Sequence, residues 1–166
     1  MRAWRTLGIS LLLLIVAGGV WLWWKKDEPR RTALAPLQNL ANALHRGDST
    51  KLLEAVSIPE AIRGRTTAEQ AEFLNKALRD EISPEGLKVL RREGEFGSLT
   101  NLFPAEAKIW AEQAGVNPED CVAFKLERNG LRAEVVLAYD SALRAPNSAL
   151  KIVRCNNVKQ LAAAKL

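Results

Sequence analysis

One histidine, two cysteines and 19 acidic residues are the groups with which this 166-residue chain could carry out acid–base, nucleophilic or metal chemistry. A lone histidine excludes a His-rich metal site, and any Ser–His or Cys–His nucleophile would have to use His45. His45 falls near the end of a predicted helix, where an imidazolium also suits the helix dipole, and it reads as a surface or structural residue. Asp48 stands where a carboxylate caps the helix that follows. Cys121 and Cys155 match no metal-binding spacing. An even pair invites a disulfide, but in a simple meander their strands flank a central one and lie about 9–10 Å apart, beyond disulfide reach. Two buried free thiols are therefore expected. Gly94-Glu95-Phe96-Gly97 lacks the third glycine, the lysine and the following helix of a phosphate-cradling loop. Phe103 and Trp110 read as core side chains. Carboxylate pairs remain as the main route to hydrolysis or isomerisation, and no acidic spacing marks one. The sequence singles out no catalytic, cofactor-binding or metal-ligating residue and calls for no cofactor.

Charge sets the next limit. Arg2, Arg5, Lys25, Lys26, Arg30 and Arg31 face only Asp27 and Glu28 within residues 1–31, a net of +4. The other 135 residues carry 18 basic and 17 acidic groups, so the overall +5 belongs mostly to the N-terminal segment. A nucleic-acid-binding domain needs a basic face to replace released counterions, and the composition of residues 32–166 supplies none.

The basic groups flank an apolar run, Leu7 to Trp24, with no charge in 18 residues. As a helix it would rise about 27 Å, close to the hydrocarbon thickness of a bilayer. Trp21, Trp23 and Trp24 gather at one end and Trp4 lies beyond the other, where aromatic rings favour the headgroup boundary. A cleaved signal peptide is the competing reading, with Ala17-Gly18-Gly19 as the cleavage site. Against it, the apolar run continues past the small residues. Residues 1–26 are read as an uncleaved single-pass anchor in the inner (cell) membrane, with the bilayer as partner through residues 7–24. Basic residues counted alone, two before the run and four after, place the domain in the cytoplasm. A very short basic tail leading straight into a Leu-rich core looks instead like a bacterial signal anchor with its C-terminal side exported, and the extracytoplasmic orientation is the one expected.

Residues 27–31 read as a linker and 32–166 as one α+β domain. Leu34, Leu37, Ala41 and Leu44 form a helical stripe that Gly47 can end. A short helix carries Leu52, Leu53 and Val56. Thr66-Thr67-Ala68-Glu69 fits a capping box opening a third helix along Ala71, Leu74, Ala77 and Leu78, which Ser83-Pro84-Glu85-Gly86 ends. Leu87 to Arg91 reads as a short strand, and Gly94 to Phe103 as strand or loop. Pro104 suits the first turn of a helix presenting Ala107, Trp110, Ala111 and Ala114. Asn129-Gly130 supplies the positive φ angles of a two-residue hairpin turn between Cys121–Arg128 and Leu131–Tyr139. That turn pairs Val122 with Leu137, Phe124 with Val135 and Leu126 with Ala133 on one face, and Lys125 with Glu134 and Glu127 with Arg132 on the other. Glu134 and Glu127 are thereby placed away from the apolar face, each opposite a base. Glu69 and Glu72 flank the third helix's stripe, while Glu54, Glu93 and Glu95 take no assigned place. Leu150 to Cys155 reads as a further strand.

Helices first and a meander after is the layout of helices packed on one face of a small antiparallel sheet. Leu40-Ala41-Asn42-Ala43-Leu44-His45-Arg46-Gly47-Asp48, followed by a Leu-Leu helix, resembles the opening of NTF2-like (cystatin-like) domains found on membrane-anchored bacterial proteins. The helix from Pro104 departs from the simplest version of that pattern. The resemblance implies a cone-shaped pocket between helices and sheet. Two functions follow as expectations: a non-catalytic module that binds another envelope protein or its own copy, or a pocket that binds or turns over a small apolar molecule.

The full-length protein is expected to remain in the membrane fraction through high salt and carbonate, and deletion of residues 1–26 to release it. Intact protein that washes off with carbonate would contradict the anchor.

Overall fold

The structure, a computed structural model, describes residues 27–139 and 150–164. The expected anchor, residues 7–24, lies outside them, and among the described residues no helix is long and apolar enough to cross a membrane. The chain divides into two compact units, Met1–Thr32 and Ala33–Leu166. Of the first, residues 27–32 are described. They are helical, with Arg31 Nε 3.0 Å from Asp27 Oδ2 one turn earlier and Thr32 Oγ1 donating to Glu28 O at 3.0 Å.

The second unit begins on the helix α1 (27–46), which buries Leu34, Leu37, Leu40 and Ala41. Gly47 adopts φ +69° just past its end. Asp48 then caps α2 (Ser49–Ala55), its Oδ1 accepting from Lys51 N at 3.1 Å. The capping box of α3 (Thr67–Leu78) forms in both directions, Thr66 N donating to Glu69 Oε2 at 2.9 Å and Glu69 N to Thr66 Oγ1 at 3.4 Å.

Leu87 to Arg91 is not a strand. It is the middle of α4 (Pro84–Glu93), where Ser83 Oγ accepts from Gly86 N at 3.1 Å, Pro84 takes the first turn and Glu85 adds a favourable charge there. Leu87 and Val89 suggest a two-residue period, but Leu87 and Leu90 at the three-residue step are the buried pair. Ser-Pro-Glu-Gly opens a helix here. Gly86 also has a packing reason: a Cβ would stand 1.9 Å from Val158 O, so the helix touches the C-terminal segment, which ends in a 3-10 turn, Lys159–Ala162. Lys159 N donates to Glu81 O at 2.8 Å beside that contact.

The ambiguous stretch after Gly94 resolves into β1 (Glu95–Ser98) and the single turn α5 (Leu99–Leu102). Residues 104–106 form a turn, and α6 runs Ala107–Ala114, later than Pro104 suggested, to a left-handed Gly115. A 3-10 turn, Pro118–Asp120, leads into β2 (Cys121–Arg128), β3 (Leu131–Tyr139) and β4 (Leu150–Asn156). The four strands make an open antiparallel sheet in the order β1-β2-β3-β4. The β2–β3 register is the one expected, including Val122↔Leu137, Phe124↔Val135, Lys125↔Glu134 and Glu127↔Arg132.

One face of the sheet packs Phe124, Ala133, Val135, Leu137, Ile152 and Cys155 against the helices α1 to α4. The opposite face was expected to be polar, and it is not. Cys121, Ala123, Val136 and Ala138 lie under Leu99, Phe103 and Ala107, so α5 and the start of α6 build a second, smaller core there. Six consecutive residues of β3, Ala133 to Ala138, are buried as a result. The architecture is therefore α+β with helical cover on both faces. A strand apolar on both sides requires it, since either bare face would leave apolar area in water at about 25 cal/mol per Å².

Asn129 and Gly130 hold φ +50° and +77° in the hairpin turn. Replacing both with β-branched residues should destabilise the domain by roughly 2–4 kcal/mol, read from urea unfolding midpoints, because each pays a left-handed penalty of about 1–2 kcal/mol. An unchanged midpoint would contradict the turn geometry.

Candidate functional site

The residues the sequence offered for chemistry do not converge. His45 is exposed at the end of α1. Cys121 and Cys155 are both buried free thiols. They lie on strands either side of β3 and on opposite faces of the sheet. Burial pushes the Cys121 thiol up to about 11, with Asp120 adding to it, and the Cys155 thiol up to about 12, with Glu81 and Glu134 adding to it. Neither is a thiolate at neutral pH, and a protonated thiol is a poor nucleophile and a poor metal ligand. Among the described residues no group of three or more His, Cys, Asp or Glu is placed to hold a metal ion. Glu54, Glu69, Glu72, Glu93 and Glu95 are exposed, and Glu93 is engaged by Arg92 and by Arg128 Nη1 at 3.3 Å.

Glu134 is the exception. It was expected on the sheet's outer, polar face with Lys125 as its partner, and the register does set the two opposite each other. Its side chain is nonetheless only 5 % exposed, and its partners are arginines. Arg154 Nε donates to Oε1 at 2.7 Å. Arg132 Nε lies 3.1 Å from Oε2, an ion-pair distance, but its N–H is not directed at that oxygen and no hydrogen bond forms. Lys125 turns along its own strand to Glu127, Nζ to Oε1 3.1 Å.

The cause is local. Glu134 shares its face with Val136 and Ala138, which α5 and α6 cover, so the carboxylate is drawn under the same roof. Arg154 reaches it through a β-bulge. Val136 pairs with Arg154 but Leu137 pairs with Ile152, which makes Val153 the extra residue. Strict alternation from the buried Ile152 would put Arg154 in the main core. The bulge instead puts Val153 and Arg154 side by side on the second face and returns Cys155 to the first.

Aromatic rings complete the cluster. The Arg132 guanidinium carbon is 4.9 Å from the Phe103 ring centre and 6.0 Å from that of Trp110, and Arg154 is 4.6 Å from Trp110. Phe103 and Trp110 are themselves tilted together at 5.0 Å. Arg132 Nη2 also donates to Glu106 Oε1 at 2.9 Å, tying the turn before α6 to β3. Desolvation works against the charge on Arg132. The Glu106 hydrogen bond and the charges of Glu134, Glu106 and Glu127 outweigh it, so the guanidinium is held more firmly protonated than usual. Asn157, in a left-handed conformation at φ +57°, closes the rim by donating Nδ2 to Arg132 O at 3.0 Å. Of these, Glu106, Trp110, Arg132, Glu134 and Asn157 border an open cleft of about 400 Å³, lined also by Gly130, Leu131 and Asn156.

The two carboxylates of this cluster differ in kind. Glu134 is desolvated and shared by two cations that are themselves 39 % exposed, so removing it forfeits a charge-assisted hydrogen bond and an ion pair at a cost of about 1.5–3 kcal/mol. Glu106 is 34 % exposed and holds one arginine, an arrangement worth about 0–1 kcal/mol. The sequence marked none of this, because Arg132 and Glu134 look like ordinary alternating surface charges until the second core covers them, and Arg154 joins them only through the bulge.

No protein-family model, no curated protein and no solved structure matches the chain.

Glu134→Ala is expected to lower the unfolding free energy by about 1.5–3 kcal/mol, and Glu106→Ala by no more than about 1 kcal/mol, in urea titrations of the two variants. Equal effects would mean that Glu134 is not the buried partner.

Proposed function

We propose that the chain is a membrane-tethered, non-catalytic interaction module of the bacterial envelope, anchored by residues 7–24, with its domain outside the cytoplasm. The observation that carries this reading is the state of Glu134. A general acid or base needs a carboxyl oxygen open to substrate and a proton to exchange. Both oxygens of Glu134 face guanidinium groups instead. The thiols, raised to about 11 and about 12, favour the same reading.

The NTF2-like resemblance belongs to this proposal as well, supported by helices that precede a meander of strands β2 to β4. The apolar pocket that the resemblance implies is disfavoured. Leu37, Leu40, Leu52, Leu90, Phe124, Leu137 and Ile152, each no more than 1 % exposed, fill the space between helices and sheet that such a pocket would occupy.

The test is chemical cross-linking of the full-length protein in its native membrane, followed by copurification and identification of what is attached. A partner recovered in a fixed ratio, with a C-terminal reporter active outside the cytoplasm, is the expected result. Turnover of a small molecule that is lost on substituting a cleft residue would overturn it.

A further inference from the structure

We propose that the groove between α1 and α4 receives the phosphate headgroup of an anionic phospholipid from the bilayer that holds the chain. The proposal rests on the anchor in the proposed function and goes beyond it, since it gives the folded domain its own contact with lipid.

Helical periodicity builds the groove. Leu34, Gln38 and Asn42 stand one above another on α1 at four-residue steps. Pro84, Lys88 and Arg91 follow at four- and three-residue steps on α4. The two rows face one another across about 260 Å³. Leu34 and Leu87 close the bottom, each only 5 % exposed, so the groove admits no acyl chain or other bulky apolar group. What it offers lies on the rim, where Gln38, Asn42, Lys88 and Arg91 are all exposed.

The rim selects an anion. Two amides and two cations supply donors from both sides, and no carboxylate lines the groove. Residues 32–166 carry 18 bases and 17 acids, a net of +1, so a local +2 with no acid among the lining residues is a concentrated charge in a nearly neutral domain. A phosphodiester presents its charge on two outward oxygens and can be held at a rim without entering a deep pocket.

Position along the chain selects the lipid. Leu34 follows Trp24 by ten residues, which extend at most about 35 Å, so the groove stays within that reach of the anchor's end wherever the domain lies. Lys25, Lys26, Arg30 and Arg31 fall in that interval against Asp27 and Glu28, and a basic segment beside a bilayer attracts anionic lipid. A tether this short holds headgroups near the groove at an effective concentration of about millimolar, whereas a soluble anion or an acidic polypeptide has to arrive from bulk.

The test uses the full-length protein in nanodiscs of phosphatidylcholine alone or of phosphatidylcholine and phosphatidylglycerol in equal parts. The readout is the rate at which Lys88 is acetylated by an N-hydroxysuccinimide ester, measured by mass spectrometry and divided by the rate for Lys76, an exposed lysine on α3. Phosphatidylglycerol should lower that ratio about fivefold or more, the factor of one cation engaged at an anionic surface. Q38E places a carboxylate on the rim and should abolish the protection. Q113E makes the same charge change at an exposed position on α6 and should leave it intact. Equal ratios in the two discs, or protection that survives in Q38E, would overturn the proposal. Protection lost equally in Q113E would mean diffuse attraction without a groove. A Glu/Gly peptide or inorganic phosphate that protects Lys88 in pure phosphatidylcholine discs as well as phosphatidylglycerol does would overturn the choice of lipid. Protein that separates from the discs would contradict the anchor as well, whereas protein that stays in them with Lys88 unprotected would contradict this proposal alone.

Discussion

Strand β3 is paired on both edges and buried on both faces, and the other elements are arranged to satisfy that one segment. From Ala133 to Ala138 no side chain reaches solvent freely, although one of the six is a glutamate. Leu137 and Val135 turn to the main core under α1 to α4, while Val136 and Ala138 turn to the smaller core under α5 and α6. A two-layer sandwich would leave the second set wet. The short helical segment between β1 and β2, an irregular insertion in the simplest layout, is therefore the lid that the composition of β3 requires.

Glu134 is the electrostatic consequence of that lid. Covering Val136 and Ala138 also covers Glu134, two positions before Val136 on the same face. A carboxylate placed there without partners would cost several kcal/mol. Three features offset the cost: Arg132 on the same strand, Arg154 brought over by the β4 bulge, and the faces of Phe103 and Trp110 behind the two cations. Buried ion groups of this kind are weak evidence for stability in themselves, since a well-packed apolar replacement is often as good.

The C-terminal segment closes the main core by a different contact. Gly86 lets α4 approach the backbone at Val158 with no room for a Cβ, Asn157 N donates to Glu81 Oε2 at 2.6 Å, and Lys159 Nζ reaches Asp80 Oδ1 at 2.9 Å. That last partner, by hydrogen bond and charge, holds the Asp80 carboxyl below the usual range. Asp80 and Glu81 between α3 and α4 thus fasten the C-terminal segment, while Glu106 between α5 and α6 fastens the lid over the second face.

Local rules determined a good part of this protein. Asp48, Thr66 and Glu69 cap helices because their side-chain oxygens meet unpaired N–H groups there, and Asn129-Gly130 fixes a register because it tolerates two positive φ angles. Those signals act within four residues of chain and are legible in a string of letters. Ser83-Pro84-Glu85-Gly86 was equally local, but a stop and a start look alike when one helix follows another closely, and the Leu87/Val89 alternation hid the Leu87/Leu90 step. The charge cluster was beyond such reading. Arg132, Glu134 and Arg154 acquire their meaning from a lid contributed by residues 99–114 and from a bulge at Val153 that reverses which side Arg154 takes. Burial is a property of what lies across from a residue, so only the assembled sheet decided that a surface-patterned glutamate would end up desolvated between two arginines.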